Sequence, residues 1–437
     1  MLRILRICLA ILVVLALQAS AFATSFYSEG PRLRSKIAWK EKEISIAISD
    51  SFFGEIPNIK AGSDVSGAIE RSLASWERAL GITFLPGYSS LEDVSPSGAA
   101  GDGISLITAA ATNDNLRIFG PNTADIPAAT RIFYDAEGNI TEADIVLNPL
   151  FQFSTDGTFG TYDLESVLVH EIGHLLGLDH LPVPGGVMSG HLARNGLYGV
   201  AHFSQRKLTA ADLVLGHSLY GSPETDEDCC AEIYGRVEQE KSGEKGIIWL
   251  ENAETGTLAA AIEPNANGYY ELKGLGSGLY SVYWSSAAFG TEHRWIDTLL
   301  LEVGDRIELA VSPGQASVDA AFEHIGLIGQ LSVASLPLNR GRTFTVYLAS
   351  RAQDVQGLAV FSTSPFIEVS ETVTHIRTGR DDLRVVMVDV TVADDAPEGS
   401  YSLLARDVSG RRSFLPGVLT VTEFTNPWLK RESSSRP

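Results

Sequence analysis

The chain has 437 residues, 44% of them hydrophobic and 20% charged, a balance typical of globular rather than disordered protein and a length that implies roughly two to four domains. Its formal charge of −21 argues against nucleic acid and anionic membranes as partners, because both are bound through basic patches.

Residues 1–23 read as a secretory signal. Arg3 and Arg6 give a basic start, residues 7–17 an apolar core, and Ala21-Phe22-Ala23 a small-x-small cleavage site. That core is shorter than the ~20 residues a membrane span needs. No other stretch is long and apolar enough, so the mature chain is expected to be secreted, extracellular or periplasmic, with no membrane span. Losing Arg3 and Arg6 takes its charge to −23. Cys8 leaves with the signal, and the adjacent Cys229 and Cys230 are expected to form either a strained ring or an intermolecular bridge. With no histidine close by in sequence they read as a poor metal site.

Residues 24–221 are expected to form one domain, in which short strands alternate with amphipathic helices from about residue 37, an α+β/α/β pattern. Residues 43–49 place Ile44, Ile46 and Ile48 on one face of a strand. Residues 64–80 put Val65, Ile69, Leu73, Trp76 and Leu80 at helical spacing behind a Ser63 or Asp64 cap. Strands follow at 82–85 and 104–109, then a hairpin joins 131–134 to 143–147 across Gly138-Asn139. Helices are predicted over 163–176, ended by Gly177, and from the Thr209/Asp212 capping box to Gly221. The expectation is a five-stranded mixed sheet with three helices.

Residues 222–231 read as a linker, and beyond them the helical period gives way to short strands punctuated by Gly and Pro, the signature of β-sandwiches. Two all-β modules are expected, over 232–313 and 314–424, with a tail at 425–437.

The chemistry concentrates in His170-Glu171-Ile172-Gly173-His174-Leu175-Leu176-Gly177-Leu178-Asp179-His180. Residues four apart on a helix share a face, so His170 and His174 can aim at one zinc ion. Gly177 tolerates the left-handed backbone that ends the helix abruptly and brings His180 in as the third ligand. Three imidazoles leave the fourth position open, which marks catalysis rather than structure. Glu171, beside the same face, can act as general base toward a water activated there.

These residues resemble the metzincins, and within them the matrixin-like group, over roughly residues 37–221. Met188, in Gly186-Val187-Met188-Ser189-Gly190, stands where that family places its Met-turn beneath the metal. The resemblance implies a zinc metalloendopeptidase fold with one catalytic Zn2+ held by His170, His174 and His180. Glu171 would be the base, Gly177 and Met188 the structural support, and a protein or peptide the substrate, laid along an edge strand at 131–134. Gly190 replaces the tyrosine ligand of some relatives, and no cysteine lies between Ala23 and the catalytic unit to cap the zinc. No histidine precedes His170, so the second, structural zinc of animal relatives is not expected.

Residues 232–313 resemble transthyretin-like, carboxypeptidase regulatory-like modules, and 314–424 resemble bacterial Ig-like sandwiches. Both are read as binding a cell surface, matrix or substrate. Asp93, Asp102, Asp135 and Asp144 offer oxygen ligands for Ca2+ without a fixed loop motif, and the competing reading is a set of solvated carboxylates. His191, His202 and His217 are assigned to surface or loop roles. The competing function is an adhesion or binding protein whose zinc unit is vestigial or narrowly self-processing, and the intact Glu171 favours the active enzyme.

Overall fold

The computed structural model describes residues 37–54, 56–96, 101–122, 126–223, 229–238, 246–285, 293–312, 322–350, 358–371, 373–376, 384–406 and 412–422. The proposed signal at 1–23, the tail at 425–437 and residues 224–228 of the 222–231 linker lie outside these residues, while 229–231, read as linker, already belong to the strand Cys229–Arg236.

Five strands form one mixed sheet in the order β2-β1-β3-β5-β4, with β1 at Glu43–Ser49, β2 at Thr83–Ser89, β3 at Leu106–Thr108, β4 at Ala128–Tyr134 and β5 at Ile140–Leu147. The first four in that order run parallel, and β4 returns antiparallel to β5 as the outer strand. The alternation read in β1 is real: Ile44, Ile46 and Ile48 are all buried. Helix α1, Val65–Leu80, starts at Asp64, whose carboxylate accepts from Gly67 N, and ends at left-handed Gly81. It lies against the helix of the histidine motif, where Trp76 Nε1 donates to Val169 O at 2.8 Å.

Four helices are present among the described residues rather than three. The addition is a one-turn helix, α2, at Asn113–Leu116, started by Thr112, whose hydroxyl accepts from Asn115 N. Its four residues are too few to show a 3.6-residue period. Helix α3 covers Leu164–Leu175 and α4 covers Ala210–Tyr220, with the Thr209–Asp212 capping box formed and Gly221 at the end.

The remainder is built of strands among the described residues. A four-stranded and a three-stranded sheet between Cys229 and Glu308 close over Ile233, Ile248, Leu250, Tyr270 and Val282. A six-stranded sheet and a four-stranded sheet from Phe322 onward close over Phe322, Val346, Leu348, Tyr401 and Leu419.

These β layers pack directly on the first region. Trp249, Leu258, Ala261 and Phe414 belong to the same buried cluster as Trp76 and Met188, and Trp249 stacks on Tyr283 at 5.2 Å. Helix α4 explains why. Its apolar residues are spread around it rather than gathered in one stripe, and such a helix is packed from more than one side: Leu215 and Leu219 pack on the first core while Val214 enters the core of the β layers. Ser400 Oγ also donates to Gly185 O at 2.9 Å, gripping the loop that leads to Met188.

One buried acid sits where the two β regions meet. Glu251 Oε1 accepts from Trp249 Nε1 at 3.2 Å and from Ser402 Oγ at 2.5 Å, and burial pushes its carboxyl up to about 7. A raised carboxyl favours the protonated form in the fold. Its contribution is therefore fully present below the ordinary value near 4.5 and lost as pH rises through about 7. The swing is on the order of 3 kcal/mol. Glu251→Gln is expected to melt higher than the parent at pH 8 and to lose that advantage near pH 4.5, as measured by thermal melts across pH. Equal pH dependence in both proteins would show that Glu251 is not the group responsible.

Candidate metal centre

Helix α3 begins at Asp163, whose carboxylate accepts from Ser166 N and pairs with Arg206. All twelve of its residues are buried, so the polar groups it carries must find partners or ligands. Its carboxyl end is fixed from outside: Trp39 Nε1 donates to Leu175 O at 2.9 Å and Tyr220 Oη to Leu176 O at 2.7 Å.

Gly177 follows with φ +87°, and a Cβ there would lie 2.1 Å from Ile37 O. Conformation and space therefore both require glycine at this point. The turn it makes brings His180 back to the helix. The Nε2 atoms of His170, His174 and His180 lie 3.0, 3.1 and 3.3 Å apart.

The second ring nitrogens decide what this group can hold. His170 Nδ1 lies 2.7 Å from Val187 O and His174 Nδ1 lies 2.8 Å from Leu178 O. A carbonyl only accepts, so each Nδ1 carries the proton and each Nε2 presents a lone pair. Burial, then the neighbouring His174 and His180, hold His170 well below the usual imidazole range, and burial lowers His174 as well. Both rings are neutral at working pH. The lone pairs of His170 and His174 converge with His180 Nε2 on one point, an arrangement that a bound cation satisfies. Three nitrogens bound to one tetrahedral zinc at ~2.0–2.1 Å stand roughly 3.3–3.4 Å apart, close to the spacings found. The residues fit Zn2+.

Glu171 lies beside this group, buried, and burial pushes its carboxyl up to about 7. Thr130 of β4 donates its hydroxyl to Glu171 Oε2 at 2.6 Å and approaches Glu171 O at 3.1 Å. Sequence reading misses Thr130, which is 41 residues away along the chain and one residue before the strand expected at 131–134.

Met188 is fully buried, and a Cβ on Gly173 would come 2.2 Å from its sulfur. The glycine between the two helical histidines thus makes room for Met188 under the motif. The loop is held by Asp212, whose Oδ1 accepts from Met188 N at 2.8 Å and Oδ2 from Val187 N at 3.0 Å. Sequence reading saw Asp212 as a helix cap only, and the same carboxylate does both jobs. Asp212→Asn puts an NH2 where an acceptor is needed and leaves at least one buried N–H unpartnered. The expected loss is about 3 kcal/mol, seen as a lowered melting temperature together with weaker zinc retention. A melting temperature equal to the parent's would remove Asp212 as the anchor of the loop.

Other sequence readings change. His202 is buried, with Nε2 2.9 Å from Leu197 O, rather than exposed on a surface. His217 lies in the last turn of α4. No three of the four aspartates considered for Ca2+ come together among the described residues. Asp144 is buried on Ser95 N and Leu106 N, Asp93 accepts from Thr112, and Asp135 organises its own turn through Glu137 N and Asn139 N. Among the described residues only two groups of three or more metal-ligating side chains come together, the His170 group and His217 with Cys229 and Cys230. Neither contains an aspartate.

Residues 38–221 match the family model described as Matrixin, which supports a zinc metallopeptidase-type domain in this part of the chain. No curated protein matches the chain. Among solved structures, a variant of BcpA, the major pilin subunit of Bacillus cereus, is similar at 11% identity over 44% of this chain and 69% of its own, with a TM-score of 0.16. The Bacteroides ovatus protein SGBP-B of the mixed-linkage glucan utilization locus, in complex with a mixed-linkage heptasaccharide, is 13% identical over 46% of this chain and 45% of its own, also at 0.16. Dpr2 Ig1-Ig2 in complex with DIP-Theta Ig1-Ig3 is 12% identical over 41% and 54%, again at 0.16. At that TM-score these likenesses carry no argument about fold or function. No helix among the described residues is long and apolar enough to cross a membrane.

Proposed function

We propose that the chain is a secreted zinc metalloendopeptidase of the metzincin type. The observation that carries this reading is the convergence of three histidine Nε2 atoms, two of them left with lone pairs by carbonyls on the other ring nitrogen, beside a buried glutamate. His170, His174 and His180 hold the ion, with Gly177 and Met188 shaping the site. Zinc, when bound, supplies Lewis-acid polarisation of a peptide carbonyl and acidifies water. Glu171 takes the proton of the attacking water and delivers it to the departing amine. Thr130 fixes one of its oxygens and leaves Oε1 for that proton. The matched matrixin family supports peptide as the substrate class, and strand β4, at the outer position of the sheet, offers backbone groups to an extended chain.

The sequence at residues 1–23 supports export. We assign residues 232–313 and 314–424 to carboxypeptidase regulatory-like and Ig-like sandwiches that position the enzyme on a cell surface, matrix or substrate. The competing reading is an adhesion protein with a vestigial or self-processing zinc unit. Zinc content of the mature protein, measured with cleavage of a peptide library before and after chelation, separates the two. The enzyme should contain about one zinc per chain, cut many peptides, stop when chelated and resume when zinc is restored. A zinc-loaded protein that cuts no library peptide would overturn general endopeptidase activity.

A further inference from the structure

His217 projects from the last turn of α4, and Cys229 and Cys230 open the first strand of the β region, Cys229–Arg236. The two cysteines are bonded to each other. Sulfur and imidazole ligand atoms of all three residues lie within 4.8 Å of one another, although Cys229 comes 12 positions after His217 in the chain.

The ring of His217 is already set for a ligand. Its Nε2 lies 3.1 Å from Ala79 O, and because that carbonyl can only accept, Nε2 holds the proton. Nδ1 is left with its lone pair, and it faces Cys229 Sγ at 3.8 Å. Metal-bound histidines are commonly oriented in this way, by a carbonyl on the other ring nitrogen. Nitrogen at ~2.0–2.1 Å and sulfur at ~2.3 Å from one cation stand roughly 3.5–3.8 Å apart. Gly274 keeps the position of the ring in place, since a Cβ there would lie 2.3 Å from His217 Cβ. Both cysteines are partly exposed, so a reductant and an ion can reach them.

We propose that reduction of the Cys229–Cys230 bond opens a second metal site, in which His217 Nδ1 and two thiolates bind a thiophilic divalent cation of the zinc and cadmium class. A small dithiol supplies the electrons. One of its sulfurs bonds to a cysteine sulfur as the Cys229–Cys230 bond breaks, and its second sulfur then displaces that cysteine and closes the reductant's own disulfide. Two cysteine thiols result, and cation binding releases both of their protons to solvent. Water completes the fourth position. One ligand comes from the last helix of the peptidase-type region and two from the first β strand, so the ion ties the regions together in the reduced state only.

The test uses the full-length protein, saturated with Zn2+ so that the His170 group is filled, then reduced, freed of reductant without oxygen and titrated with Cd2+. The ultraviolet sulfur-to-cadmium charge-transfer band reports thiolate binding, to which the three-histidine group is silent. The expected result is one equivalent of Cd2+ per chain with that band in the reduced protein, no band in the oxidised protein or in Cys229→Ser/Cys230→Ser, and affinity at least tenfold weaker in His217→Ala. Unchanged affinity in His217→Ala would remove the histidine from the site. Absence of the band after reduction, or loss of the fold on reduction as seen by circular dichroism, would overturn the proposal.

Discussion

Glu171→Ala is expected to cleave peptides roughly 100- to 10,000-fold more slowly than the parent, the usual contribution of a positioned general base, while still holding about one zinc per chain. The structure separates the two properties. The three Nε2 atoms are oriented by Val187 O, Leu178 O and the turn at Gly177, none of which uses the Glu171 side chain. Glu171→Gln is the stricter variant, because its amide oxygen can still accept from Thr130 while no basic oxygen remains. Without zinc it should also melt higher than the parent at pH 8, since burial opposes the charged carboxylate that it replaces. Cleavage at the parental rate by either variant, with zinc still bound, would refute Glu171 as the base.

His174→Ala is expected to abolish zinc binding and activity together. His174 is the middle ligand, with its Nε2 3.1 Å from His170 and 3.0 Å from His180. Two remaining imidazoles hold zinc poorly. A protein that binds zinc only when folded gains stability with zinc concentration, so the parent's melting temperature should rise on adding Zn2+ and the variant's should not. Metal analysis after dialysis supplies the second readout. Retention of one tightly bound zinc by His174→Ala would mean that the ion sits elsewhere.

Local patterns account for most of what the sequence made legible. Ile44, Ile46 and Ile48 alternate within one strand, Val65 to Leu80 repeats at helical spacing, and His170 and His174 sit one helical turn apart. Each of these signals lies within a few residues of chain. His180 was also readable, because Gly177 announces the turn that returns it. Contacts between distant segments were harder. Thr130 reaches Glu171 only because β4 runs past α3, and His217 meets Cys229 only because the β region folds back onto α4. Asp212 was visible as a cap, but its hold on Val187 and Met188 depends on a loop whose path no periodicity encodes. One long-range feature did leave a trace: α4 has no polar face, and that required a second layer over it.

That missing polar face limits how these regions can be exchanged. A domain joined by a linker can be cut at the linker and grafted elsewhere, whereas here the graft would carry Val214 as an open apolar surface and would leave Gly185 without its grip from Ser400. Any transplant of the histidine motif into a new scaffold has to bring the β layers with it, or redesign α4 with charged residues on the side they cover.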